Sequence, residues 1–151
     1  MLIKHHDLSL VLSPLELRDK LLAKNGYLEN IGFKHRALAE MGQEYGLPLT
    51  FAKKFFYTPE EKEVGMKIIN NNVLAGHPVI VSVYYQLNPA KGGHMVVVHG
   101  VQEFSGQTIG YYIQDPDSSF QGHNYFLPRE QFLAGWRGGL IYQEIAGNPA
   151  P

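Results

Sequence analysis

The stretch His77–Asp117, HPVIVSVYYQLNPAKGGHMVVVHGVQEFSGQTIGYYIQDPD, decides the fold. It holds the most continuous apolar runs of the chain, Pro78–Tyr85 and Met95–Val98. Read as strands, Met95–Val101 and Ile109–Gln114 flank Ser105-Gly106, a pair suited to a tight hairpin loop. If Phe104 then faces Gln107, an unbroken ladder sets Val96 opposite Asp115 and His94 opposite Asp117. Strand side chains alternate between faces, so His94, Val96, Asp115 and Asp117 share one face at the open end of the hairpin. His94 and Asp115 become diagonal neighbours within reach of a polar contact. A slip of one residue would undo this arrangement.

The pairing matters for its chemistry. A carboxylate bonded to one imidazole nitrogen fixes the tautomer and raises the basicity of the other nitrogen. That is the orienting half of a nucleophile–His–Asp constellation. Gly92-Gly93, just before His94, present no Cβ and so permit close approach of backbone or ligand. Pro116 holds Asp115 extended and ends the strand. The plainer alternative is that His94 merely begins a strand and Asp115 an Asp-Pro turn.

A chain of 151 residues is read as a single domain, residues 1–151, large enough to bury a core. Its formal net charge is −1, and it has neither the basic stripe expected of a nucleic-acid binder nor a Lys/Arg cluster for an anionic membrane. No apolar run approaches the roughly 20 residues of a membrane span, and the opening residues are too polar for a signal peptide. There is no cysteine, which excludes disulfides, thiolate zinc sites and a cysteine nucleophile for these residues.

Working outward, Met1–His6 reads as the last turns of a helix. Ser13-Pro14-Leu15-Glu16 reads as a helix start in which Ser13 caps and Glu16 completes a capping box. That helix carries Leu15, Leu17, Leu21 and Leu22 and ends near Asn25-Gly26. A second helix is expected over Lys34–Tyr45, stopped by Gly46 and Pro48, with Leu49–Tyr57 extended or irregular. Thr58-Pro59-Glu60-Glu61 repeats the capping pattern and opens a third helix to about Ala75, its buried side made by Val64, Ile68, Ile69 and Val73. After the hairpin, a short strand over His123–Leu127, a short helix over Pro128–Trp136 and a last strand over Gly138–Ile145 complete an α+β domain.

Other constellations are weaker. Seven histidines raise the question of a metal, but there is no His-Glu-x-x-His, and His94 and His99 lie on opposite faces of one strand. Asp115, Asp117 and Ser119 imitate the start of a calcium loop, yet Phe120 and Phe126 stand where glycine and glutamate are required. No metal is expected. Lys91-Gly92-Gly93 opens a strand and not a helix, so it is no phosphate cradle, and no cofactor is called for. None of Ser9, Ser13, Ser82, Ser105, Ser118 and Ser119 lies in a nucleophile elbow. The pairs Tyr84-Tyr85 and Tyr111-Tyr112, with Trp136, read as core or cross-strand packing ahead of a peptide groove.

Taken together, the motif order resembles the papain-like cysteine peptidases of the bacteriocin-processing type, the double-glycine leader peptidases and their "peptidase C-thirty-nine-like" relatives. The matching pieces are Ser13–Leu17, Met41–Leu47 ending in Tyr-Gly-Leu, Leu74–Val81 with its Gly-His-Pro-Val-Ile, Gly93–Gly100 around His94, Asp115-Pro116, and Tyr125–Leu127 followed by Glu130, Phe132 and Trp136. The resemblance spans nearly the whole chain. It implies a papain-like fold, N-terminal helices on a largely antiparallel sheet, and a peptide or protein substrate. It implies His94 as general base and Asp115 as its orienting partner. The family's cysteine opens an N-terminal helix as Cys-Gly-Pro or Cys-Gly-Ala, with an oxyanion-stabilising glutamine a few residues earlier, and neither is present. Met1–His6 resembles the end of that helix, so the chain is expected to begin about two turns into it. Two functions follow. One is peptide-bond hydrolysis by a Cys-His-Asp mechanism in a complete protein; the other is a degenerate domain that binds an extended peptide or partner protein.

Overall fold

The computed structural model describes residues 2–3, 7–29, 32–52 and 54–149. Elements run in the order α1 (Pro14–Ala23), β1 (Tyr27–Leu28), β2 (Gly32–Phe33), α2 (His35–Glu44), β3 (Leu49–Phe51), α3 (Pro59–Leu74), β4 (Val79–Tyr84), β5 (Gly93–Phe104), β6 (Gln107–Gln114), β7 (Asn124–Pro128), α4 (Arg129–Gly135) and β8 (Trp136–Gln143). β1 and β2 form a small separate ribbon. The other six strands make one antiparallel sheet in the order β3-β8-β4-β5-β6-β7. The fold is α+β.

Alternation along the central strand divides the core into two. Val79, Val81 and Val83 of β4, with Val96 and Val98 of β5, pack under α3 and α4 against Ile68, Ile69, Phe132 and Trp136. Ile80, Val97 and Ile141 belong to the opposite face, covered by α1 and α2 through Leu21, Ala37 and Met41. A sheet with apolar side chains on both faces has no register to slip into, because a shift of one residue would exchange the two cores.

The helix signals met different fates. Thr58 closes a full capping box: its side chain accepts from the Glu61 N–H while the Glu61 carboxylate accepts from the Thr58 N–H. Ser13 is the N-cap residue of α1 and Pro14 its first residue, but the expected Ser13/Glu16 box does not form, since no side-chain cap bond is made. Only Leu21 of α1 is buried; Leu15 is 63% and Leu22 45% exposed, which corrects the expected apolar face. Of the N-terminal turns expected at 1–6, residues 1 and 4–6 lie outside the described residues; Leu2 and Ile3 are helical and buried. Trp136 starts β8 and does not end α4.

Asn72 ties α3 to the sheet. It is fully buried, its Nδ2 donating to Ile68 O at 3.0 Å and its Oδ1 accepting from the Gln143 N–H at 3.1 Å. Replacing it leaves a buried amide without a partner, which costs about 1–3 kcal/mol. Asn72→Ala is therefore expected to lower unfolding free energy by about that amount in urea titration. A loss below about 0.5 kcal/mol, the size typical of surface substitutions, would show that the clamp is not made.

Candidate active site

The hairpin that carries the candidate residues closes at Ser105 and Gly106, both at positive φ (51° and 75°), the conformation a twisted two-residue turn demands. From there Phe104 faces Gln107 and Glu103 faces Thr108. Ile109 then bulges from β6, shifting the ladder so that Gln102 faces Gly110; His99 bulges from β5, shifting it back. Beyond both, Val98 faces Ile113 and Val97 faces Gln114, as an unbroken ladder would have it. Two opposed bulges cancel, and the open end of the hairpin regains the expected register.

There His94 Nε2 lies 2.6 Å from Asp115 Oδ1. A carboxylate only accepts, so Nε2–H donates and Nδ1 carries the free lone pair. Asp115 is 4% exposed, and its charge is met on every side. Oδ1 also accepts from the Asp117 N–H at 2.8 Å, and Oδ2 from the Tyr125 hydroxyl at 3.1 Å. Burial first, then the Asp115 charge, pushes the Tyr125 phenol well above its ordinary range, so it remains a donor. The backbone is pinned too: Asp115 N–H donates to His123 O, and Asp115 O bonds the His123 Nδ1 at 2.9 Å.

Tyr85 holds the other side. Its ring meets the His94 ring edge to face, with centroids 5.5 Å apart. Its hydroxyl donates to Asp117 Oδ2 at 2.6 Å and lies 3.0 Å from Ser119 Oγ. Asp117, which the ladder sets opposite His94, therefore engages Tyr85, while the diagonal neighbour Asp115 takes the imidazole. His99 sits exposed in its bulge, beside Tyr112, and does not join the pair. Among the described residues no group of three His, Cys, Asp or Glu could hold a metal ion, and no helix is long and apolar enough to cross a membrane.

Tyr111 and Trp136 are core residues at 0% and 1% exposure, whereas Tyr85 serves the His94 network. Tyr125 and His123 were not singled out from sequence, because their contact with Asp115 depends on β7 returning beside β6. Arg137 was missed as well. It follows a tryptophan and precedes two glycines, a break in strand pattern that marks a bulge.

The Tyr85 hydroxyl, followed by the Ser119 N–H and hydroxyl, draws the Asp117 carboxyl down from 3.8 to about 2. A depressed carboxyl stabilises the fold above its unfolded value near 3.8, and that contribution fades as pH falls through about 2. A carboxyl carbon NMR titration is expected to place Asp117 near 2. Tyr85→Phe should move it back toward 3.8. An ordinary value in the unsubstituted protein would contradict the network.

The Peptidase C39 like family matches residues 19–139. A C39-like peptidase from Bacillus anthracis superposes with a TM-score of 0.61 at 16% identity, over 95% of this chain and 84% of the other. The peptidase domain of Streptococcus mutans ComA superposes with a TM-score of 0.54 at 22% identity, over 83% of this chain and 84% of its own. At these identities the two structures speak for a shared fold. None of the curated protein sequences matches the chain. A family match over most of the sequence, on this antiparallel sheet, settles the kinship: the chain belongs to the Peptidase C39 like family.

Proposed function

We propose that this chain supplies the base half of a Cys-His-Asp peptidase site, with His94 as general base and Asp115 as its orienting carboxylate. The observation that carries the reading is the 2.6 Å bond from His94 Nε2 to a buried, fully satisfied carboxylate. With Nε2–H committed to Asp115, Nδ1 takes the proton of a neighbouring thiol. The thiolate adds to a peptide carbonyl, and the imidazolium returns the proton to the departing amine. Water, deprotonated by the same nitrogen, then releases the acyl group and restores the thiol.

The chain contains no cysteine, so these residues alone do not run the first step. Hydrolysis by this route requires a cysteine beside His94 Nδ1. The same absence favours a second reading, in which the domain holds an extended peptide without cutting it.

The two readings part in one experiment on the protein expressed from its full reading frame and assayed with peptides carrying a double-glycine motif. Under the first, peptide is cleaved, and His94→Ala lowers kcat/KM by about 10²–10⁴-fold, the usual worth of a general base. Asp115→Asn should cost less, because an amide oxygen still accepts from Nε2–H. Cleavage that survives His94→Ala at full rate would overturn the base assignment. Saturable binding with no cleavage would establish the second reading.

A further inference from the structure

A cleft of about 650 Å³ opens beside His94 on the sheet side that carries Ser82 and Met95. That volume falls within the roughly 300–1,000 Å³ of ligand pockets. Its lining has one sign of charge: Lys34, Arg36 and Arg137 contribute cations, and no Asp or Glu lines it among the described residues. Arg36 is paired with Glu40 at 2.6 Å. Arg137, half-buried, is not. Among the described residues its guanidinium makes one side-chain hydrogen bond, to the Ser82 hydroxyl at 3.4 Å, and lies over the face of the Tyr84 ring, 5.7 Å from its centroid, with no carboxylate partner. A cation so placed has surrendered part of its hydration without gaining an anion.

The backbone is shaped to put it there. Along β8, Gly139 faces Ser82 and Trp136 faces Val83, so Arg137 and Gly138 both bulge out of the ladder with β4. Gly138 holds a φ of +86°, and a Cβ on it would collide with the Phe56 backbone, so the turn needs glycine. On β5, a Cβ at Gly93 would overlap the Arg137 guanidinium. Bulges beside functional sites commonly re-aim one side chain, and here two strands give way to the same one. The cleft also has an aromatic wall: His35 stacks on Phe55 with centroids 5.3 Å apart, and Phe33 and Phe51 belong to the same lining. Burial, then the Arg137 charge, lowers the His35 pKa and keeps that wall uncharged at neutral pH.

We propose that this cleft is a carboxylate-recognition subsite for a bound peptide, in which Arg137 pairs with an acidic group while the aromatic wall packs an adjoining apolar side chain. It deepens the reading above, since it rests on the ligand being a peptide held next to His94. The carboxylate is either an Asp or Glu side chain or a free C-terminus, both of which match the planar fork of a guanidinium.

The test is titration calorimetry on the folded chain with acetyl-Ala-Phe-Glu-amide, its Gln counterpart, and acetyl-Ala-Phe with a free C-terminus. A charge-assisted bond should favour the Glu peptide over the Gln peptide by about tenfold or more, if the side chain is the source. Tighter binding of the free C-terminal peptide instead would name the main-chain carboxylate, and either result supports the subsite. Arg137→Gln should level acid and amide, and Arg137→Lys should keep part of the preference. Should Arg137→Gln lose its near-ultraviolet dichroism, erosion of the preference by added salt in the unsubstituted protein takes its place. Equal affinity for all three peptides, no binding of any, or a preference that persists without Arg137 would overturn the proposal. The readout needs neither thiol nor turnover, so its failure leaves the His94 assignment standing, and loss of that assignment leaves this result readable.

Discussion

A sheet buried on both faces cannot slide. Four residues of β4 are committed, Val79, Val81 and Val83 to the core beneath α3 and Ile80 to the core beneath α2. A one-residue slip against β5 would carry each valine into the wrong layer. This constraint holds His94 and Asp115 together, although they belong to different strands and 21 positions separate them along the chain. Where the ladder does break, it breaks at bulges: His99 and Ile109 along the hairpin between its turn and the candidate site, and Arg137 and Gly138 next to the cleft. Regular pairing positions the scaffold; irregular pairing aims the chemistry.

Two carboxylates near one imidazole are given separate tasks by their surroundings. Asp115 is buried and accepts from His94, Asp117 N–H and Tyr125, so its orientation has little freedom left. Asp117 lies farther out and is turned away from the ring by Tyr85 and Ser119. Tyr85 links the two, touching the His94 ring with its edge contact and Asp117 with its hydroxyl. The connection between β4 and β5 makes this possible by passing through Gln86 and Leu87 at positive φ, a conformation side chains seldom adopt outside constrained segments.

Much of this was legible in sequence wherever the signal is local. The Thr58 capping box and the Ser105-Gly106 turn form as their residue types demand, because each is complete within a few residues. Ser13 shows the limit of such reasoning: the same pattern stands at a helix start, yet its hydroxyl makes no cap bond, and propensity alone does not compel one. Leu15 and Leu22 remain exposed because only tertiary contact decides which side of α1 is covered. The meeting of His94 and Asp115 was read through an unbroken ladder, whereas the real ladder breaks twice and recovers. Neither bulge has a local signature strong enough to be read. Tyr125 and His123 meet Asp115 only because the chain after it loops back to set β7 beside β6, and Arg137 meets Ser82 from 55 positions away.

The central claim is that His94 is held by Asp115 through Nε2–H, leaving Nδ1 as the basic nitrogen. It is tested most directly by long-range nitrogen–proton correlation NMR of the histidine rings, at a pH where His94 is neutral. His94 should show the Nε2–H tautomer, with Nδ1 giving the far-shifted resonance of an unprotonated nitrogen, and Asp115→Ala should swing the ring toward mixed tautomers. An Nδ1–H tautomer, or a rapidly averaging ring in the unsubstituted protein, would contradict it.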